Sequence, residues 1–413
     1  MQNWKRDAGF FIGGQFLSMF GSMLVQYAIT WHITLETQSG AWMTVFTCAS
    51  LLPMVLISPF AGVWADRYNK KYLINISDTV IAFATLLLAF AFFAGYDSIG
   101  MMLAVVVIRG LGQGVQQPAV SSLIPQIVPA DQLTRFNGIQ SSVQSITMFA
   151  APMLSGALLT FLSIEYIFFI DVITAIIGVS VVFFCVRVTH QPKATSGQGL
   201  GAYVRELEEG LRYIGGIPWL KILMAFTAFF GIFMTPAAML TPLQVTRAFG
   251  EDVWRLTMIE VLFSAGMALG GIGISVWGGF KNKVYTSITA CLMFGITTVL
   301  FGIVPNFWIY LGIMLLCGAT VPFFNTPVMT IMQTKLEPQL MGRVFSVQMM
   351  ISGLAMPLGM ALFGPLGDIV SIEVLLIITG VLLFGGGLSL LTMKPIIEVG
   401  KPDAVAGDIP AET

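Results

Sequence analysis

The sequence predicts an all-α membrane protein of twelve transmembrane helices arranged as two pseudo-symmetric six-helix bundles, on three observations. The 413 residues are 56% hydrophobic and only 10% charged, against roughly 45–50% apolar and about 25% charged in soluble domains. Apolar runs recur from end to end at the length a bilayer demands, about 20 residues each. Short sequences of the first half also return in the second.

The spans are expected near 8–34, 41–65, 72–95, 100–124, 136–162 and 166–187, then near 218–246, 254–278, 284–304, 307–333, 343–366 and 372–393. This divides the chain into a first bundle (1–187), a linker (188–217), a second bundle (218–393) and a disordered polar tail (394–413). Lys5 and Arg6 precede an apolar stretch too long for a signal-peptide core of about 7–15 residues, so it is expected to be an uncleaved first span. In the linker, Tyr203, Leu207 and Leu211 fall on one helical face opposite Arg205, Glu206, Glu208, Glu209 and Arg212. That pattern suits a surface helix or a solvated connector.

Internal repetition supports the two bundles. Val63-Trp64 followed by Asn69-Lys70 recurs as Val276-Trp277 followed by Asn282-Lys283. Pro118, Pro129 and Arg135 recur as Pro327, Pro338 and Arg343. Duplicated bundles of this kind carry their substrate path at the interface between them. Loop charge agrees with the count: with the N-terminus on the cytoplasmic side, only Arg247 and Arg255 fall outside, and Arg109 lies within a span.

Composition excludes several functions. The net charge of −1 argues against nucleic-acid binding. Cys48, Cys185, Cys291 and Cys317 sit in apolar runs without metal-ligand spacing, and no metal or cofactor is expected. With His32 and His190 as the only histidines and no phosphate-binding loop or hydrolase motif, neither an enzyme nor an ATP-driven pump is expected. The short loops also leave no large exposed domain of the kind a receptor needs.

Candidate residues lie in and beside the spans. Gly62, Asp66, Arg67, Lys70 and Lys71 form a turn between spans two and three that can latch one arrangement through charge-assisted bonds, and Asp78, a little beyond, is expected to join it. Arg109 falls near the midplane, followed by Gly110, Gly112 and Gly114. It must face the interior, as a proton-relay or substrate-charge residue or as a structural hub. Asp171 and Glu260 approach from the outer face, which suits proton exchange with the exterior. For Glu260 the role is coupling or substrate-cation binding; for Asp171 a helix-start role competes with coupling. Gly138, Ala151, Pro152, Ser155 and Gly156 line a proline-kinked fifth span. Gln15, Gln26, Gln140, Gln144, Asn325 and Gln348 are polar span residues suited to substrate contact or interhelical bonds, and the abundant Phe and Met suit an adaptable apolar cavity.

These residues resemble the motifs of the major facilitator superfamily. The turn from Gly62 to Lys71 resembles its first signature, Arg109 with its glycines a second, and the fifth span a degenerate form of the antiporter motif. The wider resemblance is to the macrolide-efflux branch of the drug:proton antiporters, carried by Asn3-Trp4-Lys5, Ile170-Asp171-Val172, Glu260 before Ser264-Ala265-Gly266, and Gly342-Arg343-Val344-Phe345-Ser346. It implies proton-driven export of small amphipathic compounds, macrolide-type antibiotics among them, by a monomer in a bacterial cytoplasmic membrane with both termini inside. Asp171 and Glu260 match acidic positions of that branch. Siderophore exporters and lysophospholipid transporters are similar as well, so the substrate stays open.

Overall fold

A computed structural model describes residues 4–129, 132–187 and 200–401. The Ser/Gly-rich start of the expected linker, 188–199, and the end of the tail, 402–413, lie outside the described residues. The described chain has no strand. The first half comprises α1 (Trp4–Thr37), α2 (Gly40–Arg67), α3 (Lys70–Phe93), α4 (Ile99–Ile127), α5 (Leu133–Phe161) and α6 (Ile164–Cys185). α7 (Leu200–Gly216) connects the halves. The second half holds α8 (Pro218–Phe233), α9 (Thr241–Phe249), α10 (Val253–Trp277), α11 (Lys283–Ile303), α12 (Phe307–Lys335), α13 (Pro338–Ile369) and α14 (Ile372–Leu390), followed by the short α15 (Lys394–Val399). Twelve of these segments are long and apolar enough to cross a membrane, α8 and α9 counting as one.

The repeated Asn-Lys pairs are helix starts. Asn69 accepts the Lys71 amide and caps α3, and Asn282 accepts the Val284 amide and caps α11, each bond 3.0 Å. Asparagine suits this position because its side chain satisfies an amide that has no partner within the helix. α10 ends at Gly278, whose φ of +72° is the left-handed conformation that glycine adopts at helix ends.

The seventh span crosses as expected, over Pro218–Phe249, with a π turn over Pro236–Leu240 set between α8 and α9. Pro236 and Pro242 lack amide hydrogens and crowd the carbonyls four residues back, and a wider turn relieves that crowding. One expectation is corrected: the tail expected to be disordered over 394–413 begins with the helix α15. α15 packs on α8 with Ile396 buried, and Asn282 donates to the Ile397 carbonyl at 2.8 Å.

α7 lies against α2 and against the start of α13, where Gly210 meets Arg343. Glu209 receives Arg343 of α13 at 2.9 Å and Arg205 of its own helix at 3.2 Å. Leu211 of its apolar face is exposed, and the side chains of Tyr203 and Leu207 lie outside the described residues.

The halves meet along two equivalent seams, α2 on α13 and α5 on α10. In the first, Gly40 packs against the Gly364 backbone, Thr44 donates to the Met360 carbonyl at 2.9 Å, and Val55 meets Gly353. In the second, Gly156 packs on Thr257. A side chain at Gly62 or Gly138, at the other end of the same helices, would meet nothing within 4 Å. The seams are therefore closely packed toward the end that carries Gly40, while Gly62 and Gly138 at the signature-turn end face open space.

Candidate functional site

Between the halves lies a cavity of about 340 Å³, walled by α1, α2, Met234 at the end of α8, the π turn, α9 and α10, with single residues from α12 and α13. Its surface is mostly apolar, with Met23, Met43, Met234, Met239, Met314 and Met356 contributing flexible thioether side chains. Gln26, Tyr27, Thr30 and Thr47 supply neutral polar groups, and Glu260 supplies the only charge in the lining. Among the described residues Glu260 has no hydrogen bond and no ion-pair partner. A carboxylate at membrane depth needs a cation, a proton or water, and here only the cavity can provide one. The π turn places Ala237, Ala238 and Met239 on the wall opposite α1. Its sequence signal was the Thr-Pro pair at 235–236, repeated at 241–242.

Arg109 and Asp171 come together in the first half. Arg109 Nη1 reaches Asp171 Oδ2 at 2.7 Å and Thr85 Oγ1 at 2.6 Å, and Nη2 reaches the Ser22 carbonyl at 2.9 Å. Ser22 Oγ donates to the other Asp171 oxygen at 3.3 Å. Both side chains are buried. The glycines after Arg109 make the approach possible: a Cβ at Gly110 would stand 2.5 Å from the Ser50 carbonyl, one at Gly114 2.6 Å from the Met54 carbonyl, and one at Gly112 2.6 Å from Ile81. α4 is thereby pressed between α2 and α3, with the guanidinium turned toward α6. Asp171 serves as the counter-ion of Arg109 and does not line the central cavity.

Asp78 does not reach the signature turn. It lies eight residues after Lys70, about 12 Å along α3, where Ser18 Oγ donates to it at 2.8 Å and Gln116 Nε2 at 2.6 Å. In the turn itself, Arg67 is exposed, and the side chain of Asp66 lies outside the described residues. Lys71 ties its own half together, donating to the Val186 carbonyl at the end of α6 at 2.7 Å. Gly62 and Lys70 contact no residue of the other half by hydrogen bond or ion pair among the described residues.

The fifth span divides into two parts. Ala151 and Ser155 are fully buried, Ser155 donates to the Leu24 carbonyl at 3.0 Å, and Gly156 abuts α10. Pro152 lies inside the continuous helix, and Gly138 faces open space. Of the other polar candidates, Gln26 lines the central cavity, whereas Gln15, Gln140 and Gln144 line a second cavity beside Asp78. Gln348 bonds Ser352 on its own helix, and Asn325 is exposed.

A clamp at the tight end was not anticipated. Asp368 of α13 accepts Ser39 Oγ and the Gly40 and Ala41 amides at 2.7, 2.7 and 2.9 Å, capping α2 from the opposite half. Arg247 reaches Asp368 at 3.1 Å and the Gly367 and Gln38 carbonyls, and Gln38 bonds Glu251.

Comparison with known proteins agrees with this architecture. A model of the Major Facilitator Superfamily matches residues 11–360. Macrolide efflux protein A of Streptococcus pyogenes is 28% identical over 386 residues, covering 92% of this chain and 94% of that protein. The protein of the same name from Enterococcus faecalis is 29% identical over 314 residues, covering 75% and 96%. Among solved structures, a POT family transporter superposes with a TM-score of 0.75 at 12% identity, over 96% of this chain and 97% of that one. A bacterial homolog of the human lysosomal transporter Spinster gives 0.71 at 14% identity, over 98% and 100%. These neighbours are transporters on the same two-bundle scaffold, and with its family model spanning most of the length the chain belongs to the Major Facilitator Superfamily.

Proposed function

We propose that this transporter is a proton-coupled exporter of lipophilic amines of the macrolide class, working by alternating access about the central cavity. The observation that carries the reading is Glu260, a carboxylate without a partner on an otherwise apolar, methionine-rich wall. A cationic amphiphile and a proton are competing ways of neutralising it, and that competition is the physical basis of exchange. The similarity to two macrolide efflux proteins supports the substrate class. In this reading Asp171 belongs to the scaffold, because Arg109 already neutralises it.

The basic loops support an orientation with the signature turn and both termini in the cytoplasm of a bacterial cell, which makes the conformation inward-facing. A monomer suffices, since one chain encloses the whole cavity. The turn at Gly62, Asp66, Arg67 and Lys70 then acts as a latch that closes in the opposite conformation. The test is accumulation of a labelled macrolide in drug-sensitive bacteria making this chain or its Glu260→Gln variant, with and without a protonophore. Lower accumulation, abolished by both the protonophore and the substitution, is expected. Accumulation equal to the empty control, with folded protein in the membrane, removes the macrolide assignment.

A further inference from the structure

The interior of the first half holds an unbalanced set of charges. Asp78, Arg109 and Asp171 are 4%, 2% and 0% exposed, so two carboxylates share the apolar core with one guanidinium. Arg109 is committed to Asp171 at 2.7 Å. Asp78 receives neutral donors only, Ser18 Oγ from α1 and Gln116 Nε2 from α4. The other groups that face it are Gln15 of α1, which is neutral, and Asp171 of α6, whose charge repels it. A buried carboxylate inside a membrane is stable as an anion only with a cation beside it, and among the described residues none packed against Asp78 is a cation.

Asp78 opens instead on a separate cavity of about 140 Å³, lined by Gln15, Gln113, Gln116, Gln117, Gln140 and Gln144. Amides both donate and accept, so such walls hold water and pass hydrogen bonds in either direction. One of these amide nitrogens, Gln15 Nε2, is buried, with no described acceptor at full hydrogen-bond distance, and lies toward Asp78. Met23 belongs to the walls of both this cavity, which holds Asp78, and the central one, which holds Glu260.

We propose that Asp78 is a second proton-binding site, distinct from Glu260, which exchanges its proton with water in the glutamine-lined cavity. Protonated, its hydroxyl donates to water in the cavity and the three-residue cluster is electrically neutral. On release the proton passes to a cavity water as hydronium, and the carboxylate is held by Ser18 and Gln116. The change reaches the Arg109–Asp171 pair along α1. Ser18 and Ser22 stand one turn apart there, the first bonded to Asp78 and the second to both Asp171 and Arg109. The inference goes beyond the coupling proposed for Glu260 and does not depend on a substrate.

The test is infrared spectroscopy of the full chain in lipid nanodiscs at neutral pH, without substrate, with aspartate side chains carrying carbon-13. A carbonyl stretch of a protonated carboxyl is expected that shifts with the aspartate label, fades as pH is raised, vanishes in Asp78→Asn and persists in Glu260→Gln. Gln116→Leu keeps the carboxyl and removes one donor, and should move the same band without abolishing it. That variant identifies the band as Asp78 even where Asp78→Asn does not fold. The proposal is overturned if no label-sensitive protonated band exists at neutral pH, or if the band is the same in Asp78→Asn and Gln116→Leu as in the parent. Failure of macrolide export leaves this readout unchanged, so the two ideas fall separately.

Discussion

Removing the guanidinium in Arg109→Leu strips Asp171 of its only cation and leaves two carboxylates in an apolar core. The side chain makes three hydrogen bonds of 2.6–2.9 Å, and bonds involving a charged group contribute about 1.5–3 kcal/mol each. Most of that gain only offsets desolvation, so the better guide is the measured loss on breaking a buried pair from one side, about 3–5 kcal/mol. Asp171→Leu, which orphans the guanidinium instead, belongs in the same range. The double substitution leaves neither charge stranded and should recover most of the loss, to within roughly 2 kcal/mol of the parent, since well-packed apolar replacements of buried pairs are often neutral. The assay is a double-mutant cycle on reversible denaturant unfolding of the purified chain in mixed micelles. Strictly additive losses, with a coupling energy below about 0.5 kcal/mol, would refute the claim that these two residues neutralise each other.

Three further outcomes follow from the geometry. Asp368→Ala removes the carboxylate that caps α2 from the other half; at about 1 kcal/mol for a lost cap, the population open at that end should rise about fivefold, read as faster maleimide labelling of a cysteine introduced at Met43. Gly156→Leu forces a side chain into Thr257 at the α5–α10 seam. Spin labels across that seam should move apart, whereas Gly138→Leu, in open space, should leave their distance unchanged. Gly114→Leu thrusts a side chain at the Met54 backbone; overpacking of this kind costs about 1–3 kcal/mol, and a thermal melt should show the loss.

The spans were legible because a bilayer admits few ways of crossing it: each backbone polar group must be satisfied within the segment, and the helix that does so needs a fixed apolar length. The paired caps at Asn69 and Asn282 were visible as a repeat for the same local reason, since a cap acts on amides two or three residues away. Glu260 was visible because an acid inside an apolar run stands out from its neighbours. Its lack of any partner was not, because that depends on what α1, α2 and the π turn bring to the opposite wall.

The charged pairs mark the limit most clearly. Arg109 and Asp171 are 62 residues apart, Ser18 and Asp78 are 60 apart, and Asp368 lies 328 residues beyond the Gly40 amide that it caps. Asp78 stood close to the basic turn in sequence, yet the rise of α3 carries it away from that turn and into the glutamine-lined cavity. By itself the sequence determined the membrane, the number of crossings, the duplication and the residues too polar to face lipid. Those properties follow from periodicity and from transfer energies that act residue by residue. Only the tertiary structure decided which acid is neutralised by Arg109, which is left to the cavity, and which end of the bundle is shut. A charge at membrane depth is defined by its neighbours, and those neighbours come from helices that are remote along the chain.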